Sequence, residues 1–398
     1  MSASRMNLGA AGEYRWLRAA GIGLLALTLL GTIGCRTPRL AGENFPADRP
    51  AYVSAAARTM AAEAANHPAS GPPAHRLILI GDSGDPLPDD PTLAALGKVG
   101  DQTPEHTTVV FLGDNLYPSG LQDDDRERGE AVLRQQLSAT RATKIFVPGN
   151  HDWGMTDPTP EAVRNQGEFV ASWSESPALQ LPKNGCPGPA VHTLLASDGP
   201  ASPAVQLVLL DTEWWLVPPE RRPTCDGIDG EADVVRELEE TLAQLGDALV
   251  VVASHHPLRT GGPHGGFSRG WLADRVTAIV FALLGTLQDV DEPDYQRLVT
   301  SLSGALKSAP PLVYAAGHDH SLQLIEGQEL ADMLVVSGAG SHNMISTVTP
   351  IDGTLFAHAR EGFVVLDFHR EPGGTVPRIR VVETGVSDPV IEIEMRAH

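Results

Sequence analysis

Five short segments, each where a predicted strand hands over to a loop, constrain this chain more than any other feature. They are Gly81-Asp82-Ser83-Gly84, Gly113-Asp114-Asn115-Leu116-Tyr117, Gly149-Asn150-His151-Asp152, Ser254-His255-His256-Pro257 and Gly317-His318-Asp319-His320. Apolar, β-branched runs over 76–80, 108–112, 144–148 and 248–253 precede the first four, and a looser run over 311–316 precedes the last. Strand, glycine, ligand is the repeated pattern. Glycine ahead of a ligand lets the backbone turn sharply at the carboxyl end of a strand, where α/β sheets hold their ligands.

Any one of these segments alone reads as a turn. Taken in order they supply carboxylate, imidazole and amide-oxygen donors from several strand ends, which is what two cations a few ångströms apart require, with one carboxylate shared between them.

The order of motifs resembles that of the calcineurin-like metallophosphoesterases: Asp-x-His, Gly-Asp, Gly-Asn-His, a later His, and Gly-His-x-His. One departure matters. Asp82-Ser83-Gly84 lacks the first histidine, while Tyr117 stands three residues after Asp114. That exchange, with the glycine-rich Ser337-Gly338-Ala339-Gly340, resembles the purple acid phosphatases, in which a tyrosinate binds a ferric ion. The resemblance implies that Asp82, Tyr117 and His320 hold a first metal, that Asn150, His255 and His318 hold a second, and that Asp114 bridges them. It selects His255 over His256 because the family pattern is His-x-Pro. A hard phenolate favours Fe(III), leaving Fe(II), Zn(II) or Mn(II) for the other position.

The same resemblance implies hydrolysis by a metal-activated water, without a covalent phospho-enzyme. His151 is expected to contact the phosphate or protonate the leaving group, since imidazole changes charge near neutral pH. His264, in Gly262-Pro263-His264-Gly265, resembles a second such histidine in mammalian-type enzymes; otherwise it is a loop residue among glycines. Asp152 is expected to fix its loop or the His151 tautomer. His256, His342 and Asn343 are candidates for pocket lining.

The ends speak to location. Arg15 and Arg18 precede an apolar run over 19–33, then Gly34 and Cys35, the shape of an export signal over residues 1–34. Thr32-Ile33-Gly34-Cys35 resembles a bacterial lipobox, which implies an acylated Cys35 and a chain anchored by lipid to a bacterial membrane, periplasmic or at the cell surface. Residues 35–73 are rich in Ala, Pro and Ser and suit a tether, apart from a short helix predicted around 53–65. Residues 74–398 then form one metallophosphoesterase domain. Removing the leader's net +2 (Arg5, Arg15 and Arg18 against Glu13) from the formal −21 leaves −23. So acidic a chain disfavours nucleic acid as a partner and suits a small phosphoester substrate.

After Cys35 only Cys186 and Cys225 remain. In an exported chain that points to a disulfide, with two free thiols as the alternative. An insert over 261–308 carries an apolar helical pattern over 271–287, suited to core packing, or else to resting on a membrane or capping the active site. Trp214 and Trp215 are expected in the core, and 362–368 with 378–383 as a hairpin around Gly373-Gly374.

The expected fold is a four-layer α/β/β/α metallophosphoesterase sandwich of two mixed sheets. The expected activity is that of an acid phosphatase-like phosphomonoesterase. The alternatives are a phosphodiesterase or nucleotide hydrolase on the same site, or a metal-binding lipoprotein without turnover.

Overall fold

The strands ahead of the five segments are apolar at almost every position because both of their faces are covered. A computed structural model describes residues 49–154, 157–200, 202–265 and 288–395. The leader, Cys35 and the helix expected over 271–287 lie outside the described residues. One sheet runs in the order β15 (Ile391–Glu394), β14 (Gly374–Glu383), β13 (Gly362–Glu371), β2 (His75–Ile80), β3 (Thr107–Leu112), β4 (Thr143–Val147) and β5 (Ala178–Gln180). The other runs β1 (Tyr52–Val53), β12 (Thr354–His358), β10 (Leu322–Glu326), β11 (Met333–Ser337), β9 (Val313–Ala316), β8 (Leu249–Ala253), β7 (Val205–Leu209) and β6 (Ala190–Leu195). Both sheets are mixed: β2 to β5 and β7-β8-β9-β11 are parallel, and the flanking strands antiparallel.

Strand alternation assigns each side chain to a layer. Leu77 and Leu79, Val110 and Leu112, and Ile145 and Val147 meet Leu207, Leu209, Val251, Ala253, Val313 and Ala315 in the core between the sheets. Their neighbours Ile78, Ile80, Val109 and Phe111 turn outward onto Leu93 and Leu96 of helix Pro91–Gly100 and Leu133 and Leu137 of helix Arg126–Ser138. On the far side Val250, Val252 and Tyr314 pack against Leu238 and Leu242 of helix Glu231–Leu245 and Leu298 and Leu302 of helix Pro293–Ser308. The result is the expected helix–sheet–sheet–helix sandwich.

The domain starts earlier than the sequence suggests. Tyr52–Val53 pairs with β12, and the helix Ala55–Asn66, capped by Ser54 Oγ on Ala57 N, buries Ala57 and Ala64. Residues from Tyr52 onward therefore belong to the sandwich and not to a tether running to 73. An alanine-rich stretch with weak periodicity gives little sign of such packing.

Three smaller expectations hold. β13 and β14 form a hairpin from Gly362↔Glu383 to Glu371↔Gly374. Trp214 and Trp215 are buried, and Cys186 and Cys225 are bonded as a disulfide.

Candidate metal centre

All five segments gather at the carboxyl ends of β2, β3, β4, β8 and β9. The sharp turns fall on the ligand residues themselves: Asp82, Asp114 and His318 have φ of 59°, 52° and 67°, a left-handed backbone that costs a residue other than glycine about 1–3 kcal/mol. Gly113 does turn, at φ 91°, but Gly81 and Gly317 serve close approach between the two sheets. A Cβ on Gly317 would lie 2.6 Å from Asp82 Oδ2, and one on Gly113 2.5 Å from His255 Nδ1.

Three donors cluster together, and one of them meets an oxygen of Asp114. The Tyr117 hydroxyl is 3.0 Å from Asp114 Oδ2, 3.2 Å from Asp82 Oδ1 and 3.2 Å from His320 Nε2, and His320 Nε2 is 3.3 Å from Asp82 Oδ1. Neighbouring donors around a cation bonded at about 2.1 Å stand about 3 Å apart, so this set fits an ion. A second set meets the other oxygen. His255 Nε2 is 3.4 Å from Asp114 Oδ1, 2.9 Å from Asn150 Oδ1 and 3.2 Å from His318 Nδ1. By distance Asp82, Asp114 and His255 could hold a metal ion, and so could the histidine group 255, 256 and 318. Within that group His256 has both nitrogens engaged, with Thr212 Oγ1 at 2.8 Å and Gln288 Oε1 at 3.2 Å, so its lone pair is not free for a metal.

Each converging imidazole is oriented from behind. His255 Nδ1 lies 2.8 Å from the Leu112 carbonyl, His318 Nε2 3.1 Å from that of Gln288, and His320 Nδ1 2.7 Å from that of Met344. A carbonyl takes the N–H and turns the lone pair of the other nitrogen inward, the usual arrangement behind a metal-binding histidine.

His151 Nδ1 is 2.6 Å from the Pro118 carbonyl, and its Nε2 is 3.9 Å from Asp114 Oδ2. Its carbonyl partner, and not Asp152, therefore sets its tautomer. Asp152 instead ties two loops together, accepting hydrogen bonds from Gly149 N, Asn115 N and Leu116 N at 2.8 to 3.1 Å and from Asn115 Nδ2 at 2.9 Å. The structure also brings His264 in, its ring 4.3 Å from that of His318, its N bonded to Asp319 Oδ1 and its Nδ1 to Asp289 at 2.9 Å. His342 is more than half exposed and pairs with Glu361 Oε1, and Asn343 is exposed.

The electrostatics suit cations. Burial and the carboxylates of Asp114 and Asp82 push the Tyr117 phenol well above its ordinary pKa, so a strong local positive charge is needed to draw its proton off. Burial opposes a charge on His320, but Asp82 and Asp114 prevail and raise it to about 9. Burial and the neighbouring histidines 264 and 256 hold His318 well below its usual value, leaving it neutral with a lone pair to share.

The calcineurin-like phosphoesterase family model matches residues 75–322, which span all five segments. The chain belongs to the calcineurin-like phosphoesterase family. A search of curated proteins returns no match for this phosphoesterase. Among solved structures it resembles GAP50, the anchor in the inner membrane complex of Plasmodium, at TM-score 0.55 and 17% identity, over 81% of this chain and 89% of that one. That likeness is one of fold. More distant are purple acid phosphatase PPD1 from yellow lupin (Lupinus luteus) seeds (TM-score 0.47, 13% identity, 80% of this chain, 53% of the other) and a dimetal phosphatase from Danio rerio (0.45, 12%, 82% and 100%).

Sequence reading passed over several residues of this phosphoesterase that the fold brings to the site: Asn115, Thr212, Glu213, Gln288 and Asp289. One signal for two of them was present. Thr212 and Glu213 follow the apolar run over 205–211, which contains β7, as the expected ligands follow theirs.

Proposed function

We propose that this phosphoesterase hydrolyses phosphomonoesters at two cations: Fe(III) held by Asp82, Tyr117 and His320, and Fe(II), Zn(II) or Mn(II) held by Asn150, His255 and His318, with Asp114 between them. The observation that carries this reading is the Asp114 carboxylate, whose Oδ2 meets one donor set at 3.0 Å and whose Oδ1 meets the other at 3.4 Å. The phenol of Tyr117 argues for a ferric ion, since a hard trivalent cation best offsets the cost of a buried phenolate beside two carboxylates.

Bound there, two cations would supply Lewis acidity and acidify a water as the nucleophile. The chain does the rest. Asp114 sets the spacing of the two positions, and the carbonyls of Leu112, Gln288 and Met344 keep three imidazole lone pairs aimed inward. With Nδ1 committed to Pro118, His151 has Nε2 as the atom that faces substrate. As the imidazolium it donates its Nε2 proton to the departing alkoxide oxygen, giving the alcohol and inorganic phosphate and leaving the neutral ring with Nδ1–H on Pro118. His264, with Nδ1 on Asp289, is the second histidine available to the phosphoryl oxygens.

The same reading sets the enzyme outside the cytoplasm, lipid-anchored through Cys35 of Thr32-Ile33-Gly34-Cys35. The Cys186–Cys225 disulfide suits such a compartment. Among the described residues no helix is long and apolar enough to cross a membrane.

The test is hydrolysis of p-nitrophenyl phosphate against bis(p-nitrophenyl) phosphate by the metal-loaded chain. Faster turnover of the monoester supports the proposal. Turnover of the diester alone makes the enzyme a phosphodiesterase, and turnover of neither leaves a metal-binding anchor.

A further inference from the structure

Gln288 reaches the second donor set from two directions at once. Its backbone carbonyl is 3.1 Å from His318 Nε2. Its side-chain Oε1 is 3.2 Å from His256 Nε2, and its Nε2 donates to Glu213 Oε1 and Oε2 at 3.0 and 2.8 Å. His256 Nδ1 is 2.8 Å from the Thr212 hydroxyl. All five residues are buried, Gln288 the most exposed of them at 8%.

These contacts determine one another. The amide NH2 donates to both oxygens of Glu213, which leaves its own oxygen facing His256. That oxygen takes the His256 Nε2 proton, and Nδ1 then accepts from Thr212. The amide is thus held at both ends. Gln288 also has a left-handed backbone, φ 49°, a conformation that persists where the surroundings over-determine it. What this arrangement fixes is the direction of the Gln288 carbonyl, which takes the N–H of His318 and leaves His318 Nδ1 3.2 Å from His255 Nε2.

We propose that Gln288, braced by Glu213 and His256, is the positioning residue of the Asn150–His255–His318 metal set. Its carbonyl holds His318 in the tautomer whose Nδ1 binds the cation. This role rests on the two-cation reading above. Glu213 acts only through the Gln288 amide, and neither residue touches substrate or metal.

The experiment is calorimetric titration of the metal-stripped full chain with Zn(II) alone, with far-UV circular dichroism to establish that each variant is folded. The wild type takes up two ions. Gln288→Met, close to it in volume, and Glu213→Ala each weaken one ion by about 10–100-fold and leave the other within about threefold. Because both act along one path, the double variant is within about threefold of the weaker single one. Glu213→Gln keeps an acceptor oxygen for the amide and recovers part of the loss.

A wild type with two ions and a Gln288→Met variant that binds both unchanged overturns this role alone. So does equal weakening of both ions, which marks a general packing defect. A wild type that binds fewer than two ions overturns the two-cation reading and this role with it.

Discussion

The Tyr117 hydroxyl stands 3.0 Å from Asp114 Oδ2, and that carboxylate's other oxygen faces His255 Nε2 from the opposite sheet at 3.4 Å. Only one residue in this arrangement is shared by both donor sets. Its loss and the loss of a neighbouring proton donor therefore have different signatures.

Asp114→Ala should remove metal and activity together, turnover falling to background as elemental analysis shows both ions depleted. His151→Ala should keep its metal content while kcat on an unactivated phosphomonoester drops about 10²–10⁴-fold. A fully active His151→Ala variant would remove His151 from the proposed mechanism.

Tyr117→Phe addresses the first position. Tyrosinate on ferric iron gives a visible charge-transfer band, so the air-exposed wild type should be coloured and the variant colourless. A colourless wild type carrying two divalent ions would reduce Tyr117 to a pocket residue.

Away from the site, His75 carries a pH-dependent part of stability. Burial, and after it repulsion from His106 and His192, lowers its pKa from 6.5 to about 4, and its Nε2 lies 3.1 Å from Thr108 Oγ1. Between these values the unfolded chain binds a proton that the folded chain refuses. Stability from this group is complete above pH 6.5 and is lost as pH falls toward 4, by about 3 kcal/mol in all. Urea midpoints measured from pH 7 to 4 should fall more steeply for wild type than for His75→Gln, which keeps a partner for Thr108. Parallel profiles would show that His75 titrates normally.

Cys186 and Cys225 are 39 residues apart in sequence. Replacing both with serine should cost about 4 kcal/mol in the chain-entropy model, read as a lowered midpoint of unfolding. An unchanged midpoint would mean that the loop is already held in the unfolded chain.

Much of the candidate site was legible because its chemistry is local: a strand, then a glycine, then a side chain with a lone pair. The five apolar runs became β2, β3, β4, β8 and β9, and the other six expected ligands lie in two sets beside Asp114. The N-terminal limit of the domain was not legible, because two residues of β1 and an alanine-rich helix acquire their place only by packing on strands β12 and β15, some 300 or more positions away.

The sequence by itself determined which residues carry donor atoms and that each ends a buried strand, since period, composition and turn chemistry are properties of a few consecutive residues. Only the tertiary structure decided that Gly81 and Gly317 serve close approach between the sheets, that His151 is held by Pro118, and that Thr212, Glu213 and Gln288 stand behind His256 and His318. The reason is physical. The ligands of each set come from two sheets whose strands are far apart in the chain, and the order in which strands pair, not the spacing of residues, sets which polar atoms meet.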